Sequence, residues 1–496
     1  MTPKGSLLHY LAEHAARHPE RVAIRFRERS FTYREVDEAA ARCRGALAAQ
    51  GIRAGERVAL LMSDSPETIF ALLGVMGLGA IAVPCNTLLP TEGLAYVLKD
   101  SGAKLVVTSA EHATHAKAAG AARVVDGGAL LEGTPLGLAA VESRTPCLVV
   151  YTSGSTGQPK GAVHEHGHLA WPVESVAKDV YGLKPDDRLF SAPRLYFAYG
   201  LGNSVLVPLG AGASTILLAE RPTPALVAEV FRRYRPTIFF GVPTMFRMLI
   251  EYMREGHALD TSALRFCTSA GEVLPGATWR EWKELTGTEI LESIGTTELL
   301  YAFLHNRPGR NRPGSAGTVL QGYECRLEDE AGGVVEGPGR GRLWVRGRSA
   351  ITQYLNRPAG SSESIRDGWV RTGDVLRRDA DGYYWFEGRS DDLFKCSGMW
   401  VSPFEVEEAV ARHPAVSEVA VIAEPDATGA TIPAAYVMLR PGCAASEREI
   451  MEQAAKTLPR FKQPKRVHFI AELPRTPTGK VQRFKLRGRS PNSSSS

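Results

Sequence analysis

Short apolar runs rich in β-branched residues alternate along the first two thirds of the chain with longer stretches in which apolar positions recur at helical spacing. Arg57 to Met62, Leu105 to Thr108 and Cys147 to Tyr151 read as strands, whereas Tyr33 to Gln50 and Pro224 to Arg235 read as helices. This alternation predicts parallel sheets covered by helices. Ile69 to Val83 is the most apolar run. It is shorter than the ~20 residues of a membrane-spanning helix and is read as a buried helix followed by a strand. After about Cys325 the texture changes to Gly-punctuated alternating runs, Gly341 to Arg346 and Gly382 to Glu387, which read as antiparallel strands joined by tight turns. A second change falls near Gly388 to Asp392, beyond which Ser402 to His413 and Val416 to Ile422 start a new αβ pattern.

The expectation is therefore an α/β chain whose large N-terminal domain, residues 1–389, combines helix-covered parallel sheets with a small β-barrel-like subdomain at about 325–389. A small mobile α+β C-terminal domain, residues 390–487, would follow, with a disordered tail at 488–496 that ends in four serines. A length of 496 residues fits more than one domain.

Composition narrows the class. With 44% hydrophobic and 23% charged residues the chain is an ordinary globular protein. Its formal charge of +5 is too small and too dispersed for a nucleic-acid surface, and a small anionic ligand suits it better. Seven scattered cysteines without paired short spacing favour a reducing compartment. Met1 to Arg27 lacks the apolar core of a secretion signal, so a cytoplasmic location without membrane attachment is expected.

The stretch from Tyr151 to Gly161, Tyr-Thr-Ser-Gly-Ser-Thr-Gly-Gln-Pro-Lys-Gly, follows an apolar strand and concentrates hydroxyls and glycines. Small residues allow the backbone close to a ligand, the hydroxyls of Thr152, Ser153, Ser155 and Thr156 can donate to phosphate oxygens, and Lys160 can add a charge. The pattern departs from the nucleotide P-loop, because Gln158 and Pro159 precede the lysine and Gly161 follows it. A Ser/Gly linker would not ordinarily follow a buried strand or end in Pro-Lys-Gly.

Further motifs follow in order: Ser269 to Glu272 (Ser-Ala-Gly-Glu), Glu292 to Glu298 (Glu-Ser-Ile-Gly-Thr-Thr-Glu), Gly368 to Asp374 (Gly-Trp-Val-Arg-Thr-Gly-Asp), Phe386 to Asp392 and Pro474 to Lys480. Together with the Ser/Thr loop they resemble the signature of the adenylate-forming superfamily, which holds acyl-CoA synthetases, peptide-synthetase adenylation domains and luciferases. The resemblance implies ATP, Mg²⁺ and coenzyme A as reactants or cofactors. It assigns the ribose hydroxyls to Asp374 and Arg389, the adenine to Gly271 and Glu272, the α-phosphate to Thr297 with Thr296 beside it, and Mg²⁺ to Glu298. It assigns to Lys480 the bridging of the substrate carboxylate and the α-phosphate during adenylation.

Because thioester formation needs the space that Lys480 would fill, the resemblance implies rotation of the C-terminal domain about a hinge at Asp391, with Gly398 leaving room for the pantetheine arm. Arg194 to Asn203 (Arg-Leu-Tyr-Phe-Ala-Tyr-Gly-Leu-Gly-Asn) resembles benzoate-CoA ligases and related aryl-acid ligases. By that correspondence Ala198, Tyr199, Gly200, Ala270, Ser293, Gly295, Leu300 and Tyr301 line a flat apolar slot for a small aromatic acid: benzoate, an aminobenzoate or a hydroxybenzoate. An amino-acid-activating domain would place a carboxylate near Phe197 to Gly200, and none is present. The nearest rival is an aryl-acid adenylation enzyme that loads a carrier protein. A luciferase-like oxidase and an inactive nucleotide-binding regulator are more distant. The sequence leaves open the ring substituent and whether the chain acts as a monomer or a homodimer.

Overall fold

The computed structural model describes residues 5–152, 159–357, 364–475 and 481–487. The chain divides into two compact units, residues 1–325 with 344–371, and residues 326–343 with 372–496.

Two sheets form the first unit. One has nine strands, of which six run parallel in the order Ile290–Gly295, Phe266–Ser269, Ile238–Gly241, Arg188–Ser191, Ser214–Ile216 and Val22–Phe26. The other has six, with Val124–Asp126, Leu105–Thr108, Arg57–Leu61, Ile81–Pro84 and Pro146–Thr152 parallel. Antiparallel strands close both edges of the first sheet (Arg29–Thr32, and Ala302–His305 with Thr318–Val319) and one edge of the second (Lys160–Glu165). The parallel sheets expected from sequence are thus mixed at their rims. The reason is local: a short connection can turn a chain back only into an antiparallel neighbour, whereas a parallel one needs a crossover.

Local signals set the helix limits. Tyr33–Ala49 starts in a reciprocal capping box between Thr32 and Glu35, and Pro224–Tyr234 starts on the Thr223 hydroxyl with proline in its first turn. Pro66–Gly77 is buried at every position except Glu67, as a helix between sheets must be. Among the described residues no helix is long and apolar enough to cross a membrane.

In the second unit Pro403–Ala411 and Glu447–Ala455 pack on the sheet of Val416–Pro425, Thr431–Leu439 and Arg466–Phe469, burying Val406, Val421, Val437 and Ile450. Residues 374–378 pair antiparallel with Tyr384–Arg389 in this unit, and Phe394–Cys396 with Met399–Val401 forms a small hairpin.

Asp187 ties the middle of the nine-stranded sheet together. Its buried carboxylate accepts from Thr237 Oγ1 at 2.7 Å, from the Lys184 backbone N–H at 2.8 Å and from Arg265 Nη1 at 2.5 Å. Because the partner guanidinium is only one-third exposed, Asp187→Ala strands a cation and two donors. The expected cost is ~2–4 kcal/mol, seen as a lower thermal midpoint in calorimetry. An unchanged midpoint would show that the strands need no such tie.

Candidate active site

Parallel pairing of Phe266–Ser269 with Ile290–Gly295, in the register Ser269 opposite Glu292, ends both strands at one sheet edge. Ala270, Gly271 and Glu272 leave the first strand there, while Thr296 and the 3₁₀ turn Thr297–Leu299 leave the second. Ligands in open α/β sheets bind beyond such carboxyl ends. Among the described residues, the buried Ser269 Oγ and Thr296 Oγ1 have no hydrogen-bond partner. Buried hydroxyls are seldom left that way, and the two here are free to meet a polar ligand.

Thr152 and Lys160, which flank the Ser/Thr stretch, are directly opposed in an antiparallel hairpin. Ser153, Ser155 and Thr156 lie outside the described residues, as does Lys480. At the hairpin's base the Lys160 ammonium sits 5.6 Å from the centre of the Tyr354 ring. The Tyr354 hydroxyl in turn donates to Glu298 Oε1 at 2.8 Å. Glu298 is thus half-buried and fixed through one oxygen. No group of three His, Cys, Asp or Glu side chains among the described residues could hold a metal, but a lone carboxylate suits Mg²⁺, which takes most of its ligands from phosphate and water.

Behind Thr297 lies a buried pair of histidines. His164 Nε2 lies 2.8 Å from the Thr297 carbonyl, and its Nδ1 faces His168 Nδ1 at 3.4 Å. Burial pushes His164 down to about 3 and His168 to about 4, so both are neutral at pH 7 and His164 donates its N–H to Thr297.

Tyr199 and Tyr301 stack with centroids 6.3 Å apart. Both hydroxyls are used inside the protein: Tyr199 shares a hydrogen bond with Thr268 Oγ1 at 2.8 Å, and Tyr301 donates to Asn203 Oδ1. The Tyr301 ring needs Gly202, where an added Cβ would lie 2.2 Å from a ring carbon, and its backbone needs Gly295, where a Cβ would lie 2.4 Å from the Tyr301 carbonyl. Ser293 and Ala270 are buried at the adjoining strand ends, Gly200 is buried, and Ala198 is half-buried. Leu300, at φ 64°, packs in the same apolar cluster as Leu201.

The segment carrying Ala198 and Tyr199 is anchored by Asp64, whose carboxylate accepts from the Leu195 N–H at 3.2 Å and lies 3.7 Å from Arg194 Nη1. Burial pushes Asp64 up to about 6 despite Arg194.

In the second unit Asp374 and Arg389 are cross-strand partners. Arg389 Nη1 donates to Asp374 Oδ1 at 2.8 Å and to the Thr372 carbonyl at 2.9 Å. Gly373 leaves room for the guanidinium, since a Cβ there would meet Arg389 Nη2 at 2.7 Å. Asp374 is buried and held by a cation, as befits an acceptor for two hydroxyls. Asp391 is exposed, and Gly398 is exposed at φ 78° next to Ser397 at φ 52°, so the pair forms the two-residue turn of the small hairpin. Asp64, His164, Thr268 and Tyr354 sit in no motif with a spacing that names their chemistry, and Asn203 closes the Arg194 to Asn203 stretch, where only its contact with Tyr301 reveals a role.

The chain matches the AMP-binding enzyme family over residues 11–355 and the AMP-binding enzyme C-terminal domain over residues 405–480. It is 38% identical to the benzoate–CoA ligase of Thauera aromatica, covering 92% of this chain and 90% of that protein. It is 36% identical to the 3-hydroxybenzoate–CoA ligase of Aromatoleum sp. strain CIB, covering 92% and 91%. A solved anthranilate CoA ligase in complex with anthranoyl-AMP superposes with a TM-score of 0.92 at 35% identity, over 98% of this chain and 97% of that one.

His164, His166, His168 and His305 all lie at about 3 to 4 in the fold, lowered first by burial. Below their ordinary value of 6.5 the unfolded chain takes up protons that the folded chain refuses. Stability is therefore complete above pH 6.5 and is lost as pH falls toward 4, with the raised carboxylates of Asp64, Asp37 and Glu165 opposing the trend. The thermal midpoint should drop by ~5 °C or more between pH 7 and pH 5; a flat profile would mean these histidines are charged in the fold.

Proposed function

The chain belongs to the AMP-binding enzymes, and from that premise we propose that it is an ATP-dependent aryl-acid–CoA ligase, an AMP-forming acid–thiol ligase. In the first half-reaction a carboxylate oxygen of the acid attacks the α-phosphorus of ATP and pyrophosphate leaves. In the second, the CoA thiolate attacks the acyl carbon and AMP leaves. Near-full-length similarity to benzoate-, hydroxybenzoate- and anthranilate-specific ligases supports the aromatic class.

The observation that carries the substrate reading is the stacked Tyr199–Tyr301 pair, with no acidic side chain in the helical segment Phe197 to Gly200 that carries Tyr199. It presents aromatic faces and offers no partner for an ammonium group.

The residues divide the work by chemistry. Asp374, steadied by Arg389, accepts the ribose hydroxyls, and Gly271 with Glu272 borders the adenine. Ser153, Ser155, Thr156, Thr152 and Lys160 wrap the phosphates, with Thr296 and Thr297 donating from the opposite strand end. Glu298 would hold Mg²⁺, which would neutralise phosphate charge. Lys480 bridges carboxylate and α-phosphate, which lowers the cost of bringing two anions together. Asp391 serves as the pivot between half-reactions, and Gly398 borders the path of the thiol. The cytoplasm suits such an enzyme, since ATP and CoA are available there.

Both tyrosine hydroxyls already have partners, so a ring hydroxyl would enter an apolar slot and lose its water. Benzoate should exceed 4-hydroxybenzoate in kcat/KM by ~10- to 100-fold in a pyrophosphate-release assay with CoA; the reverse preference would remove Tyr199 and Tyr301 from the ring site. The half-reactions should separate as well. Lys480→Ala should lose acid-dependent ATP–pyrophosphate exchange by ~100-fold or more yet convert supplied benzoyl-AMP to thioester. Gly398→Asn, whose side chain tolerates the left-handed backbone, should do the opposite. Equal loss of both steps in either variant would deny the division of labour.

A further inference from the structure

Residues 351 to 357 follow none of the motifs that mark the site, yet they bind three of its parts. The Ile351 N–H donates to the Glu298 carbonyl at 3.0 Å and the Leu355 N–H to the Gly161 carbonyl at 2.7 Å. Asn356, at φ 56°, donates from Nδ2 to the Asp100 carbonyl at 2.6 Å, while Tyr151 donates to the Asp100 carboxylate at 2.7 Å. Tyr96 adds a hydrogen bond to the Pro159 carbonyl at 3.1 Å, just before Lys160. The segment is a clip across the base of the phosphate-loop hairpin.

Tyr354 lies at the centre of that clip. It is 5% exposed and bridged to Ala162, and it packs with Ala162 and Ile351 in a small apolar cluster. Two of its features face the chemistry. Its ring lies under the Lys160 ammonium, and its hydroxyl donates to one oxygen of Glu298.

We propose that Tyr354 is a positioning residue that aims the Glu298 carboxylate, occupying Oε1 so that Oε2 is presented to the divalent cation accompanying ATP, while its ring fixes the base of Lys160. The physical reason is restriction of a glutamate side chain that rotates about three χ angles. Glu298 is half-exposed, and without an internal donor it would sample orientations in which neither oxygen meets the metal. Coupling of the same ring to Lys160 sets the phosphate-binding lysine and the metal-binding carboxylate from one side chain. This proposal rests on the ligase reading.

The test uses the full chain and Mn²⁺ as the metal probe, with a non-hydrolysable ATP analogue present. Tyr354→Phe keeps the ring beneath Lys160 and removes only the hydroxyl. It should weaken Mn²⁺ affinity, read by electron paramagnetic resonance, by ~10-fold, within the range that partners of metal ligands show, and raise the apparent KM for Mg²⁺ more than it lowers kcat. Glu298→Asp, which withdraws the carboxylate from the hydroxyl with Tyr354 intact, should shift Mn²⁺ affinity in the same direction. The double variant Tyr354→Phe/Glu298→Asp should bind Mn²⁺ no more weakly than Glu298→Asp alone. Unchanged Mn²⁺ affinity in Tyr354→Phe, or effects that add in the double variant, would overturn the proposal. Failure of the unsubstituted chain to catalyse acid-dependent ATP–pyrophosphate exchange would defeat the ligase reading instead, and the Mn²⁺ affinities would still decide the role of Tyr354.

Discussion

The parallel pairing of two short strands, Phe266–Ser269 and Ile290–Gly295, is the constraint on which the rest of the first unit's site depends. Parallel pairing with Ser269 opposite Glu292 makes both chains leave the sheet at the same end, the second continuing past that register to Gly295. Residues separated by more than twenty positions in sequence then emerge at one end of the sheet, and the buried hydroxyls of Ser269 and Thr296 have no partner among the described residues. A shift of one residue would turn every side chain of one strand to the opposite face and dismantle this edge. The glycines beside it serve the same end, since Gly295 and Gly202 are the positions where a methyl group would collide with Tyr301.

Several of the buried polar groups around that edge are neutral and paired. His164 supports Thr297 as an uncharged donor, Tyr199 and Tyr301 hold Thr268 and Asn203, and Tyr181 shares a 3.0 Å hydrogen bond with His305. Such an arrangement confines fixed charge to a few side chains. Glu298 and Lys160 are two of them, and both reach Tyr354. An enzyme that must join a carboxylate to a polyphosphate gains from this economy, because each unpaired charge in a poorly hydrated site would either repel an anionic reactant or compete for its counter-charge.

The second unit uses a different device for a similar purpose. Asp374 and Arg389 belong to adjacent antiparallel strands in direct register, so the carboxylate proposed to hold the ribose and its guanidinium are oriented by backbone pairing rather than by loop conformation. Gly398 gains a second explanation beyond the space it leaves: it occupies the left-handed position of a two-residue hairpin turn, which glycine fills without strain.

Much of this was legible from residues alone. The alternating strand and helix periodicity gave the α/β class, because burial on a sheet face or helix stripe imposes its own spacing on the sequence. The ordered motifs from Tyr151 to Lys480 carried the resemblance to adenylate-forming enzymes, and their glycines and hydroxyls are by themselves suited to holding phosphate. The mixed rims of the sheets were not legible, since strand direction at an edge depends on connections and neighbours rather than on the strand's composition. Nor were the roles of Asp64, His164, Asn203, Thr268 and Tyr354, residues whose types are common in any core or loop. Tertiary structure decided their roles by bringing each to a partner distant in sequence, Tyr354 to Glu298 and Asn203 to Tyr301 among them, and hydrogen bonding over ~3 Å is a property of that proximity which no local pattern encodes.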